Sequence, residues 1–502
     1  FGPVGISRVI SKEKMSGASV RALSRDFSYE GAVPLPGSVT WMGTSWLLLT
    51  DVVGTSVLTF AGVARQLGWV LTAVFLIGLC PVSIYVAILM SRTRSKLAQQ
   101  GVAPSSMGEA AALTLGNNTS TSYKAGAAVH FLVYGFAFLG NGAYLLTMGN
   151  ALQGVFYNTV LCLPSAVLAA CLCCLPVILL VRNLSDSVAL CLANLFLIIA
   201  VLVIVMVKMW EVGVQENSQT YYVAEDLSLL TLFGAMTNIV YSYAGQWLYF
   251  EMMHEMELPE DFPKVFYINA PLQVGLYLLV AFWGYYYAGD QAKGYFLDNL
   301  PASAAYSWAS GILFVHVAIA YLIKNVIVAR SLHRLVSPSR VDVRVGDPSG
   351  EGLRAHLEYS LCAIVALAGN GLLALSIPFF SDLLGLLGGL LSGPISYLLP
   401  MVFFIGACRR EQQSMVMDSE EADNVETVSH HAQGPPGCGN CRRIRTMLKE
   451  ACLSRVDLVI CTMIATFILM TMFIGTSGVM RDIAEKANDD APFSCKPLKL
   501  EE

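Results

Sequence analysis

Apolar runs recur along the chain from Trp46 to Gly478, parted by short polar joints, and many exceed the roughly 18 residues that carry a helix across a bilayer. Their spacing predicts helices near residues 45–64, 68–90, 125–149, 159–181, 186–210, 229–253, 266–288, 305–330, 356–377, 379–407 and 456–479. The expected division is a tail over 1–43, ten helices over 44–410, a polar loop over 411–454, an eleventh helix over 455–480 and a second tail over 481–502. The loop turns from acidic to basic and contains Gly434-Pro435-Pro436-Gly437, as a flexible connector does.

Two of these spans are interrupted at matching places. Gly54-Thr55-Ser56 lies inside the first and Tyr243-Ala244-Gly245-Gln246 inside the sixth, and each opens a block of five helices. Such a pair predicts an inverted repeat, because a broken helix exposes backbone N–H and C=O groups near the bilayer middle, where they hold a polar solute. The competing explanation is close helix packing over small residues.

Composition agrees with a membrane domain. The 502 residues are 55% hydrophobic and 13% charged, with a mean hydropathy of +0.59, against roughly 25% charged in an average soluble domain. Basic residues set orientation. With the N-terminus in the cytosol, most of the 31 basic residues fall in cytosolic segments, and only Arg65, Lys208, Lys293, Arg481, Lys486, Lys496 and Lys499 fall outside. An inside N-terminus and an outside C-terminus follow. No positively charged segment leads into an apolar one before Trp46, so no cleavable signal peptide is expected. The sequons at Asn117, Asn118 and Asn183 fall in loops placed in the cytosol, so no glycan is expected there. Most of the 13 cysteines, Cys171, Cys173 and Cys174 among them, lie in apolar spans, where they act as small hydrophobes and say little about redox compartment.

At the interrupted spans the chain resembles the amino acid/auxin permease family. Gly54-Thr55-Ser56-Val57-Leu58-Thr59-Phe60-Ala61, followed by Gly68-Trp69, is similar to the family's G-x-G-x-L-x-L-P-x-A then G-W, with Ser56 for the second glycine and Ala61 for the proline. Tyr241-x-Tyr243-x-Gly245-Gln246 resembles its aromatic-x-aromatic-x-Gly-His, with Glu251, Met256, Pro259 and Phe262 after it. Ser106-Met107-Gly108-Glu109 with Gly116, and Ile377-Pro378-Phe379 through Pro400, extend the likeness over roughly 45–480. The resemblance implies an all-α membrane protein of eleven helices in a five-plus-five inverted repeat (LeuT-type), with helices one and six broken. It also implies proton- or sodium-coupled transport of amino acids.

In such a fold, free N–H groups at Gly54, Thr55 and Ser56 would hold a substrate carboxylate. Carbonyls at Ser242, Tyr243 and Ala244 would take its amine. Tyr241, Tyr243 and Gln246, beside Gly245, would set pocket size, and Asn141, Tyr144 and Asn238 are further candidates, each also explicable as packing or an interhelical hydrogen bond. Two charges in apolar spans need partners. Asp51 lies seven residues in from Thr44 and Lys324 six in from Arg330, which at about 1.5 Å per residue puts both about 10 Å inside the cytosolic boundary. The resemblance implies that helices one and eight are neighbours with a sodium site between them at this level, so the two are expected to pair there and to exchange the coupling proton. The alternative is that Lys324 snorkels to the cytosolic interface while Asp51 bonds backbone near the helix break. His130 and His316 read mainly as satisfied core histidines, and His430, His431, Cys438 and Cys441 contain a CxxC with weak zinc spacing. The cluster Trp283, Tyr285, Tyr286 and Tyr287 reads as an interfacial belt.

The expected function is therefore a secondary active transporter of amino acids or related small solutes, proton-coupled, working by alternating access in a plasma or vacuolar/lysosomal membrane. Its partners are the substrate, the coupling ion and the bilayer, with no cofactor, metal or nucleic acid. Neither HExxH nor GxSxG occurs, which argues against a membrane enzyme. A sodium-coupled transporter and a nutrient sensor that keeps the fold without transporting are the alternatives.

Overall fold

The computed structural model describes residues 37, 39–116, 118–180, 187–341, 343, 351–413, 454–489 and 493–495. Most of the two tails and of the 411–454 loop, with the sequons at Asn117 and Asn183 and the His430, His431, Cys438, Cys441 group, lies outside them. The described elements are α1 Trp41–Val52, α2 Phe60–Gln99, α3 Met107–Leu115, α4 Thr119–Val155, α5 Leu163–Leu180, α6 Ser187–Val212, α7 Leu229–Ser242, α8 Tyr249–Glu255, α9 Phe266–Ala288, α10 Ala304–Val336, α11 Gly352–Ser376, α12 Phe380–Leu387, α13 Arg455–Met470 and α14 Thr476–Asp489. The only strand-like contact among these residues is an isolated bridge between Val39 and Met256. Helix α12 continues through two wide turns into one apolar stretch, Phe380–Gln413, and α13 runs through another into α14.

Nine stretches among the described residues are long and apolar enough to cross a bilayer. Helices α1 and α7, of 12 and 14 residues, fall short because each stops at a break. The first helix begins at Trp41 rather than 45, where the Thr40 hydroxyl accepts from the Gly43 N–H at 3.2 Å. Others outrun their expected ends: α2 reaches Gln99, α10 reaches Val336 and α14 reaches Asp489. Their extra turns are polar, Ser91-Arg92-Thr93-Arg94-Ser95-Lys96 in α2, so they carry no apolar signal.

Between the first two expected helices the chain turns at Gly68 with φ 80°. A Cβ there would lie 2.7 Å from the Tyr222 carbonyl oxygen, so glycine serves both the left-handed backbone and the close approach. Helix α7 is gripped backbone to backbone. A Cβ on Gly388 would lie 2.0 Å from the Thr237 carbonyl, and one on Gly475 or Gly478 2.5 Å from the Phe233 or Leu230 carbonyl, as expected where small residues drive packing in lipid. Near the C-terminus Lys486 pairs with Asp382, and Cys495 is disulfide-bonded to Cys162, 333 residues earlier.

Candidate functional site

Helix α1 ends at Val52, and the chain resumes only in the 3-10 turn Thr55–Thr59. Helix α7 ends at Ser242 and resumes in the 3-10 turn Gln246–Leu248. The two interruptions face one another across a cavity of about 40 Å³, room for a few water molecules at ~10–15 Å³ each. Its walls include Gly54, Thr55 and Ser56 from the first break, Tyr241, Ser242 and Ala244 from the second, and Tyr144 of α4. A Cβ on Gly54 would meet nothing closer than the Asp51 carbonyl at 3.7 Å and the Tyr144 hydroxyl at 3.9 Å, so this glycine keeps the cavity open.

One ion pair borders that space. Lys324 Nζ lies 3.1 Å from Asp51 Oδ1 and donates to the Tyr144 hydroxyl at 2.8 Å. The same ammonium stands 5.0 Å from the Tyr144 ring centre and 5.6 Å from that of Trp247, within cation–π reach. The two charges expected to pair are in contact.

Five candidates fall elsewhere, among them Asn238, which is buried but absent from the cavity wall. The Tyr243 hydroxyl donates to the Leu76 carbonyl at 2.7 Å, and the Gln246 amide donates to Ser83 Oγ at 2.7 Å, so both side chains point into α2 and away from the cavity. Gly245 is a packing position, where a Cβ would meet Leu48, Val52 and Tyr249 at 3.1–3.2 Å. Asn141 is fully buried but absent from the cavity wall, although Gly140 beside it lines it. Nor is the Ser242 carbonyl free for a substrate amine. The Tyr277 hydroxyl of α9 sits 2.8 Å from both the Val52 and Ser242 carbonyls, and Gln273 reaches the Ser242 carbonyl at 3.4 Å and the Tyr277 hydroxyl at 3.2 Å. With the tyrosine proton on Val52 and a Gln273 proton on Ser242, the ends of both α1 and α7 are satisfied from one helix.

Sequence reasoning passed over Val52 of α1, Phe136, Ala137 and Gly140 of α4 and Trp247, which complete the wall. The Phe136 ring meets Tyr241 and Trp247 edge-on at 6.1 and 6.3 Å. In an apolar span such residues look like ordinary packing. The belt reading is corrected at Tyr285, which is fully buried and accepts from the Tyr221 N–H at 2.9 Å, while Tyr286 stays exposed.

A bundle of bilayer-length apolar helices around a charged cavity between two helix breaks defines a multi-pass integral membrane protein with a polar site inside the bilayer. The chain belongs to the transmembrane amino acid transporter protein family, which it matches over residues 37–418. It is 27% identical over 193 residues to the N amino acid transport system protein of Neurospora crassa, covering 38% of this chain and 39% of that one. It is also 26% and 27% identical to the amino acid transporters AVT1C and AVT1B of Arabidopsis thaliana, in each case over 43% of this chain and 37% of the relative. The chain thus spans about two fifths of the length of the relatives it matches. Family and relatives alike are described as transporters rather than enzymes.

Proposed function

We propose that this protein carries amino acids across a membrane by alternating access, holding the substrate between the two helix breaks. The observation that carries the reading is the cavity shared by Gly54–Ser56 and Tyr241–Ala244, bordered by the Asp51–Lys324 pair. Backbone N–H groups where the first helix restarts suit a carboxylate. Ala244 at the second break remains the candidate for the amine. On this reading α1 with its 3-10 continuation, and α7 with α8, each form one broken crossing, which brings the crossings to eleven. The matched sequence of helix, break and 3-10 turn in the two supports a five-plus-five inverted repeat.

Coupling belongs to Asp51 and Lys324. An ammonium held where an ion would otherwise bridge the helices favours proton exchange over sodium binding. The membrane is that of the plasma boundary or of a vacuole or lysosome. The deciding measurement is uptake of a labelled amino acid mixture by the purified protein in proteoliposomes, under an imposed proton gradient or sodium gradient separately. Proton-driven, sodium-independent uptake is expected. No uptake under either gradient would leave a sensor that kept the fold, and strict sodium dependence would remove the coupling assignment.

A further inference from the structure

A second and larger cavity, of about 140 Å³, lies on the other side of the Asp51–Lys324 pair and shares with the first only those two residues, Gly54 and Tyr144. Its walls are largely apolar: Leu47 of α1, Leu248, Met252 of α8, and Ala320, Ile323 and Ile327 of α10. Its polar lining comprises the ion pair, Thr50, Tyr144, Cys191 and Asn194, together with Glu251 and Glu255 of α8 and His316 of α10. His316 is 1% exposed, and its Nδ1 lies 2.9 Å from the Asn194 carbonyl oxygen. A carbonyl only accepts, so Nδ1 carries the proton and Nε2 is left as a lone-pair acceptor. That Nε2 is buried without a hydrogen-bond partner, as is one carboxyl oxygen of Glu251. Residues 316, 320, 323 and 327 recur at helical spacing, so one face of α10 presents the acceptor and the apolar wall together.

Acceptors with no donor, set in an apolar chamber, call for a ligand that brings the donors and a positive charge. We propose that this cavity binds an alkylammonium group, its N–H donors on His316 Nε2 and the carboxyl oxygens of Glu251 and Glu255 and its carbon chain along the α8 and α10 walls. Such a group comes from a free organic amine or from the side chain of a cationic amino acid, and both present the same chemistry.

The test is calorimetric titration of the purified full chain with n-butylamine at neutral pH, beside n-butanol, which has the same chain length without the charge. The amine is expected to bind at least tenfold more tightly than the alcohol. Glu255→Gln and His316→Phe, each checked for an unshifted melting temperature, are expected to weaken it at least fivefold. Neither residue lines the first cavity, so their effect places the amine in the second. Competition by L-lysine would assign the site to a cationic side chain, and its absence to a free amine. Equal binding of amine and alcohol, or unchanged amine binding in a folded Glu255→Gln variant, overturns the proposal. Because binding is read without transport, the result does not depend on the uptake experiment.

Discussion

Lys324 holds its charge inside an apolar bundle because Asp51, the Tyr144 hydroxyl and two aromatic faces share it. Removing one partner strands the other, at about 3 kcal/mol for a buried pair. Asp51→Asn and Lys324→Gln are therefore expected to lower the melting temperature singly, and the double variant to recover most of the loss without recovering proton-driven uptake. A double variant no more stable than the singles would show that the pair contributes nothing as a pair. The adjacency of their helices came from the family resemblance, whereas the equal depth of these residues was legible in the sequence from helical rise. The orientation of Tyr243 and Gln246 was not, because beyond a break the 3.6-residue period no longer tells which way a side chain points. The two glycines of the breaks separate for the same reason. Gly54→Leu is expected to leave a folded protein without uptake, its side chain filling the cavity. Gly245→Leu is expected to reduce the amount of folded protein, by forcing apart Leu48, Val52 and Tyr249. Full uptake by a folded Gly54→Leu variant would remove the cavity from the transport route.

At the scale of elements, the apolar centres of the helices were legible and their ends were not. Hydropathy reads the part of a helix that meets lipid, whereas polar turns such as Ser91–Lys96 extend it beyond. The nine residues of α3 escaped for a related reason, being too short for a span. Their cap was written in the sequence as Ser106-x-x-Glu109: the Ser106 hydroxyl accepts from the Glu109 N–H at 3.2 Å, and the Glu109 carboxylate accepts from the Ser105 N–H and hydroxyl at 2.8 Å each. Least legible was the brace from α9. Tyr277 sits in an unbroken apolar helix and reads as packing, yet its hydroxyl lies 2.8 Å from carbonyls ending both α1 and α7. Tyr277→Phe keeps the ring contacts with Phe60 and Tyr243 at 4.6 and 5.5 Å and removes only that donor. An expected loss of about 1–3 kcal/mol follows from a buried carbonyl left unpaired, read as a lower melting temperature. A Tyr277→Phe protein as stable as the parent would show that the brace is not needed.

Across the whole molecule the positive-inside count set a sidedness that one covalent bond now constrains. Cys162 stands just before α5 and Cys495 near the C-terminus, in segments that the count assigns to the same, non-cytosolic side. Two cysteines so far apart in sequence give no pairing signal, and their neighbours in apolar spans drew attention to burial instead. A disulfide joins only residues on one side of the bilayer, and it persists where thiols are not kept reduced. The bond thus requires an even number of crossings between the two cysteines, a condition that the proposed topology meets with three crossings up to Cys162 and eleven up to Cys495. The prediction is made in sealed vesicles of known orientation, with the protein carrying Cys162 and Cys495 as its only cysteines. A membrane-impermeant reductant followed by an impermeant maleimide should label both from the non-cytosolic face and neither from the cytosolic face. A peptide tag after Glu502 should be cut by protease from that same face, while a tag beside Ser429, in the loop before α13, should be cut only from the cytosol. Labelling of the two cysteines from opposite faces would break the bond's assignment. Labelling of both from the cytosol would invert the topology, and with it the side of the membrane to which the Asp51–Lys324 pair lies nearer.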